Sequence, residues 1–472
     1  MTEAFCDIFF ETSFSLLFPV LDKLLFAQTV SLAYQSADDV PSSPAHVLAR
    51  ACVLAALSVA SRLDLRATPI DADICAAKAK SLLQHMNGYE SLISLQTILL
   101  LQRHETFTGR WQDAEAFHSL ACRMVCGLGG HIHSQLNLQN KEPSPIERES
   151  HLIRTLFWVC YILDKDMSLR SGRPPLLCEE ICDLIQEENI RKWHSAQLEP
   201  YDNLGSGDDI CGELVSHATW KLSLGRLKET TYRLLYSAHA IKSTDSEHLL
   251  HIRQLDAELE LWRSSIPTSL RPILSVSPSC SLLAVEPSTP HSMLRLNLQL
   301  EYHYMMTAIH ATVRRCRNNG GEPHNIPDDL HSVLHSSTDL SLEASRSTLL
   351  ILKKFATTQL TEGSQYVLLH PRNHFHNDAN DSDSHSIFFP VVAAMSLFTN
   401  ILVHPAEVET PSDADLLVSA AVILQAIPTT YAPSQNESEY VDQMIKFVHE
   451  LARLGALAIA KATKHDMAPV LS

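Results

Sequence analysis

Apolar residues recur along this chain at three- and four-residue steps, the spacing that lines one face of an α-helix. Between Ser91 and Glu105, Leu92, Leu95, Ile98, Leu99 and Gln102 keep that step, and Leu100 and Leu101 widen the stripe. A stripe that wide belongs to a helix buried on more than one side. The next pattern carries its own start signal. Ser144 suits an N-cap, Pro145 the first turn, and Glu147 stands three residues after Ser144 as a capping box requires. Leu152, Leu156, Val159 and Leu163 then run down one face, broadened by Phe157 and Trp158. Further helices are expected over 44–65, 70–86, 114–127, 212–239, 246–264, 292–317, 341–360, 387–403, 412–427 and 437–463. No segment sustains the strict alternation of a half-buried strand, and no long repeat recurs. The pattern predicts an all-α fold: a large, irregular multi-helix domain joined by polar loops.

Three polar stretches interrupt the helices and are expected to be mobile loops. Residues 264–290 are rich in proline and serine, 318–327 reads NNGGEPHNIP, and 371–386 reads PRNHFHNDANDSDSHS. The last has too little apolar surface to order itself. Its histidines (His374, His376 and His385, with His370 just before) have no spacing that fixes a coordination geometry, so a solvated loop is the simpler reading. Its acidic run, Asp378–Asp383, and the C-terminal helices are candidate protein contacts, although such runs are commonly just solvated.

Composition sharpens this picture. Glycine is 14 of 472 residues, about 3% against a usual value near 7%, which disfavours phosphate loops and frequent tight turns. The net charge is −17, and the densest basic cluster, Arg314, Arg315 and Arg317, stands alone. Direct DNA binding needs a basic stripe that neutralises phosphates, so this polypeptide is a poor nucleic-acid binder by itself. The eleven cysteines form no C-x-x-C pair; Cys122/Cys126 and Cys178/Cys182 are spaced i,i+4, one helix face each if those segments are helical. Without recognisable ligand pairs for zinc, reduced thiols of an intracellular protein are the expectation, and no metal or cofactor site is assigned. The N-terminus lacks a basic n-region, and the most apolar later run, Ile387–Val403, falls short of a membrane span.

Catalytic signatures are absent. There is no G-x-x-x-x-G-K-[ST], G-x-G-x-x-G after a strand, H-E-x-x-H or G-x-S-x-G. Gly127, Gly129 and Gly130 follow a helix and read as its C-cap. The pairs Asp38-Asp39, Asp208-Asp209 and Asp328-Asp329 each lack the third acid that a diphosphate-binding D-D-x-x-D site needs to hold magnesium. No catalytic residue is assigned. An all-helical enzyme or small-molecule-binding protein is kept as a distant alternative, with Trp111, Phe117, Phe157, Trp158 and Tyr161 as candidate pocket-lining aromatics. Core packing is the simpler expectation for each.

One stretch has a recognisable order. Arg154-Thr155-Leu156-Phe157-Trp158 leads through Tyr161 and Leu163-Asp164-Lys165 to Leu169-Arg170-Ser171-Gly172-Arg173-Pro174-Pro175. It resembles the R-x-L-F-W…Y…L-D-[RK]…G-R-P signature of the fungal-specific transcription factor domain, the regulatory middle region of fungal zinc-cluster transcription factors. Phe18-Pro19-Val20-Leu21 resembles the opening of that domain. Gly109-Arg110-Trp111, Ala121–Val125 and Leu128-Gly129-Gly130-His131 resemble its centre. The resemblance covers roughly residues 5–190, with 191–472 read as its helical continuation.

Physically, Arg154, Phe157, Trp158, Asp164, Gly172, Arg173 and Pro174 read as structural. Arg154 and Asp164, nearly three turns apart, face roughly similar directions. Gly172 permits a sharp turn, Pro174 stops a restart, and Asp164 is expected to pair with Arg170 or Arg173 as the chain folds back. Family members carry, upstream, a basic cysteine cluster that binds two zinc ions and reads DNA, followed by a coiled coil. These 472 residues open almost at the domain and contain no such cluster, so neither zinc nor DNA binding is carried over to any residue.

The resemblance implies a nuclear regulator of RNA polymerase II genes in a fungus, with no membrane association. It implies action through a zinc-cluster factor, coactivator or repressor, with a small-molecule effector as a further candidate partner. The alternative is a truncated gene model of a complete zinc-cluster activator.

Overall fold

The computed structural model describes residues 10, 18–35, 43–63, 70–84, 89–132, 144–182, 208–277, 290–318, 328–361, 383–407, 409–426 and 435–467. Among these residues there are helices and connecting turns but no strand. Two compact units are formed, dividing between Glu229 and Thr230.

The first unit holds α1 (Lys23–Tyr34), α2 (Pro44–Leu63), α3 (Ala72–Gln84), α4 (Leu92–Phe107), α5 (Trp111–Gly127), α6 (Pro145–Ser171) and most of α7 (Asp208–Thr231). α4 is its axis. Ser91 caps it by accepting the Ser94 amide, and every residue from Leu92 to Phe107 except Ile93 is buried. α2, α3 and α5 pack around it, α1 packs on α2, and α6 packs on α5. Leu95, Ile98, Leu99, Leu100 and Leu101 are essentially inaccessible, and burial of each such side chain contributes about 1.5–3 kcal/mol.

α4 also buries charge. Arg103 lies over the rings of Phe18 and Phe107, and Glu105 forms ion pairs with Lys80 and Arg110. α2 has the length and composition of a membrane span between Pro44 and Ser61, but Leu48, Val53, Val59 and the alanines from Ala49 to Ala60 are buried among neighbouring helices. The sequence pattern does not foresee α1. Its start signal is Asp22, whose carboxylate accepts the Leu24 and Leu25 amides at 3.0 Å.

The capping box of α6 forms as the sequence requires. The Glu147 amide donates to Ser144 Oγ at 3.3 Å, and the Ser144 amide donates to Glu147 Oε2 at 2.7 Å. Gly172 ends the helix at φ 72°, a left-handed conformation that costs a glycine little, and its amide closes on Ser168.

The second unit begins where α7 relaxes into a π-helical turn, Tyr232–Tyr236; the sequence pattern expected helix through to 239. It contains α8 (Asp245–Ser265), α9 (Pro290–His310), α10 (Asp328–Thr361), α11 (Asp383–Val403), α12 (Thr410–Ala426) and α13 (Gln435–Met467). α10 starts thirteen residues before the expected 341, and Ser337 in that added stretch is buried against His310 of α9. Between α9 and α10, His303 Nδ1 meets Thr348 Oγ1 at 3.1 Å, Thr307 meets Ser345 at 3.4 Å, and His310 Nδ1 meets Ser337 Oγ at 3.0 Å.

Arg346 of α10 forks onto buried Asp413 of α12 at 2.6 and 2.9 Å. The described part of the proline- and serine-rich connector is pinned. Gln299 pairs with both the amide and the carbonyl of Ile273, and the Val276 amide donates to Ser347. Arg315, from the one basic cluster, donates to the Ala240 carbonyl at 2.7 Å. Of the histidines in 371–386, His374 and His376 lie outside the described residues, as does His370; residues 383–386 form the first turn of α11.

Candidate functional site

The resembling residues of Leu128–Gly130 and Arg154–Pro175 lie where the end of α5, α6 and the segment after α6 meet. Arg154 stacks on Phe157 and Trp158, with 5.3 and 5.1 Å to the ring centroids, and its Nη1 donates to the Gly130 carbonyl at 2.7 Å. Gly130 follows the end of α5 and lies hard against α6. A Cβ there would stand 3.0 Å from the Ile153 carbonyl oxygen and 3.1 Å from Phe157 Cβ. Gly127 ends α5 and Leu128 caps it, so the glycine cluster is a helix end as the sequence suggests.

Asp164 takes a different partner from the one expected. Leu176 donates its amide to both carboxylate oxygens and Leu177 to Oδ2, all at 3.0 Å. The reason is local. Pro174 and Pro175 carry no N–H, so the first main-chain donors after Arg173 are those of Leu176 and Leu177. Arg173 is exposed and pairs with Glu115 of α5 instead. Arg154 and Asp164 share α6 and reach out to different segments, the Gly130 carbonyl and the Leu176 and Leu177 amides.

Lys165, fully buried, bridges Asp164 Oδ2 at 3.0 Å and Glu229 Oε2 at 3.2 Å, and donates to the Leu177 carbonyl. Tyr161 donates to Glu229 at 2.7 Å, and burial together with that carboxylate holds its hydroxyl far above its ordinary pKa. Burial works against the Asp164 carboxylate, but the His118 hydrogen bond, Lys165 and the Leu176 amide outweigh it and hold Asp164 below the usual carboxylate range.

Sequence reasoning overlooks one constellation here. His118 Nε2 lies 3.2 Å from Cys122 Sγ and 3.5 Å from Asp164 Oδ1, and all three residues are buried. One ligand atom from each lies within 4.8 Å of the other two. Burial disfavours a charged His118 imidazole, yet Cys122 and Asp164 push it up to about 10. The adjoining Cys160 thiol and burial hold Cys122 well above a free thiol, so it stays protonated and Asp164 supplies the negative charge. The legible signal was two i,i+4 pairs, His118/Cys122 on α5 and Cys160/Asp164 on α6. Cys126 shares α5 with Cys122, whereas Cys178 and Cys182 merely flank a 3-10 turn, Glu179–Ile181.

The candidate pocket aromatics mostly touch one another or nearby cations. Phe157, Trp158 and Tyr161 pack with centroids 5.5 to 6.4 Å apart, and Lys80 sits over Phe117.

This helical arrangement, with its Gly-Arg-Pro segment bound back onto α6, lies inside residues 6–264, which match the family model described as the fungal specific transcription factor domain. The chain belongs to that family.

Among its relatives, an ABC-transporter-regulating transcription factor of Aspergillus oryzae is 26% identical over 394 residues, covering 79% of this chain and 37% of the relative. The Quinic acid utilization activator of Emericella nidulans is 25% identical over 326 residues, 64% of this chain and 36% of that protein. A Nitrogen assimilation transcription factor of Neurospora crassa is 27% identical over 208 residues, 42% and 18% respectively. The chain thus spans a little over a third of the length of the first two relatives. No solved structure matches it. Within the fungal specific transcription factor domain, Arg154, Phe157, Trp158, Asp164 and Gly172 all serve the α5–α6 junction, while Arg173 and Pro174 lie on its exposed rim.

Proposed function

We propose that this chain is the regulatory region of a fungal transcriptional regulator, working in the nucleus through protein contacts rather than catalysis. The observation that carries the reading is the family match over residues 6–264. Relatives named as transcription factors and an activator, and a net charge of −17 that suits protein partners better than phosphates, support it. Partners of the expected kind are a zinc-cluster factor, a coactivator or a repressor, and a small-molecule effector is compatible with the helical scaffold. The purified 472-residue chain should leave duplex DNA unshifted in a mobility assay and should co-purify with such a factor from fungal nuclear extract. Tight, sequence-selective binding of naked DNA by these residues would overturn the reading.

A second reading has its own support in the greater length of the relatives: these residues are the regulatory part of a complete zinc-cluster activator. Genomic sequence upstream of Met1 that encodes the six-cysteine pattern, in frame or across an intron, would establish it. An upstream stop codon without a splice site would reject it.

A further inference from the structure

We propose that His118, Cys122 and Asp164 form a buried site for one divalent transition-metal ion, with zinc the best match. The donors are an imidazole nitrogen, a thiol sulfur and a carboxylate oxygen, the set that zinc accepts in tetrahedral coordination. Bonds of the usual zinc lengths at tetrahedral angles put a nitrogen about 3.4–3.6 Å from a neighbouring oxygen or sulfur ligand. The observed separations from His118 Nε2 are 3.5 Å to Asp164 Oδ1 and 3.2 Å to Cys122 Sγ.

His118 Nδ1 is buried and has no hydrogen-bond partner among the described residues, so the ring's polar contacts are those of Nε2 inside this cluster. The carboxylate is already oriented by the Leu176 and Leu177 amides and by Lys165, the outer-shell support a metal ligand requires. Cys160 adjoins Cys122 but lies outside the set of ligand atoms within 4.8 Å of one another, so the protein supplies three ligands and a water molecule would take the fourth position.

The exchange is electroneutral. With His118 an imidazolium and Cys122 a thiol, the charges of Asp164, Glu229, Lys165 and His118 sum to zero. On binding, Nε2, Sγ and Oδ1 bonds to the metal form, His118 and Cys122 each release one proton to solvent, and the divalent cation replaces those two protons so that the sum stays zero. The ion would join α5 to α6 directly, at the junction the family residues build.

The test uses the full chain, stripped with a chelator and titrated with cobalt(II) and with zinc. One equivalent of cobalt should give tetrahedral visible bands and a thiolate charge-transfer band, and zinc should compete it away and raise the melting temperature. His118→Ala and Cys122→Ser should each weaken cobalt binding by roughly a hundredfold, whereas Cys126→Ser, on the same helix, should leave it unchanged. If either variant fails to fold by circular dichroism, the wild-type chain decides: zinc must protect Cys122 from alkylation in a denaturant pulse, read by peptide mass. No thiolate band in the wild type, a band that survives Cys122→Ser, or no zinc protection of Cys122 overturns the site and leaves a purely hydrogen-bonded core.

Discussion

Arg154 of α6 donates to the carbonyl oxygen of Gly130 at 2.7 Å, which places a guanidinium over the chain as it leaves α5. The two residues belong to separate motifs in the sequence, and their contact explains why each is of its type. Gly130 admits α6 closely because it has no Cβ, and Arg154 satisfies the carbonyl that this close approach shields.

Gly130→Ala should therefore destabilise the first unit by about 1–3 kcal/mol through overpacking against Ile153 and Phe157. Arg154→Ala should lose a comparable amount, about 1–3 kcal/mol, because the buried carbonyl loses its charged donor. Urea denaturation followed by circular dichroism measures both, and the double variant should fall short of their sum because the sites touch.

Asp164→Ala should be far more damaging, by about 3–5 kcal/mol, since it takes one of two carboxylates from buried Lys165 and strands two amides. Asp164→Asn retains an acceptor and should be milder than Asp164→Ala. Equal losses would show that the main-chain bonds contribute little.

Arg173→Ala tests the opposite case. Its pairing with Glu115 is solvent-exposed, so the loss should stay below about 1 kcal/mol. A loss as large as that of Asp164→Ala would contradict the assignment of the Gly-Arg-Pro lock to Asp164 and the Leu176 and Leu177 amides.

Acid should weaken the second unit. Burial holds His303 down to about 4, and burial together with the Arg315 cation does the same for His248. Unfolded imidazoles protonate near 6.5, so between about 6.5 and about 4 the unfolded chain carries the extra protons. The contribution of both residues is full above that window and is lost as pH falls through it, with a slope of about 1.4 kcal/mol per pH unit for each. Melting temperature recorded at decreasing pH should drop, and His303→Gln should flatten the curve. An unchanged slope in that variant would show that His303 does not titrate on unfolding.

Much of this molecule is legible without coordinates because helix formation is local. The apolar step over 91–105, the Ser144–Glu147 capping box and the stop at Gly172 depend on residues within a few positions of each other. The order of the resembling fragments likewise survives in one dimension. What the amino-acid order leaves open is which distant groups meet. The pairing of Asp164 with main-chain amides instead of Arg170 or Arg173, the ion pairs of Glu105, and the anchoring of Ile273 by Gln299 all depend on helix packing. His118 stayed invisible for the same reason: a lone histidine on α5 has no meaning until α6 brings Asp164 to its Nε2. Periodicity decides which face of a helix is buried, whereas the choice of polar partner in a dry interior is settled only when tertiary packing fixes which donors and acceptors are within reach.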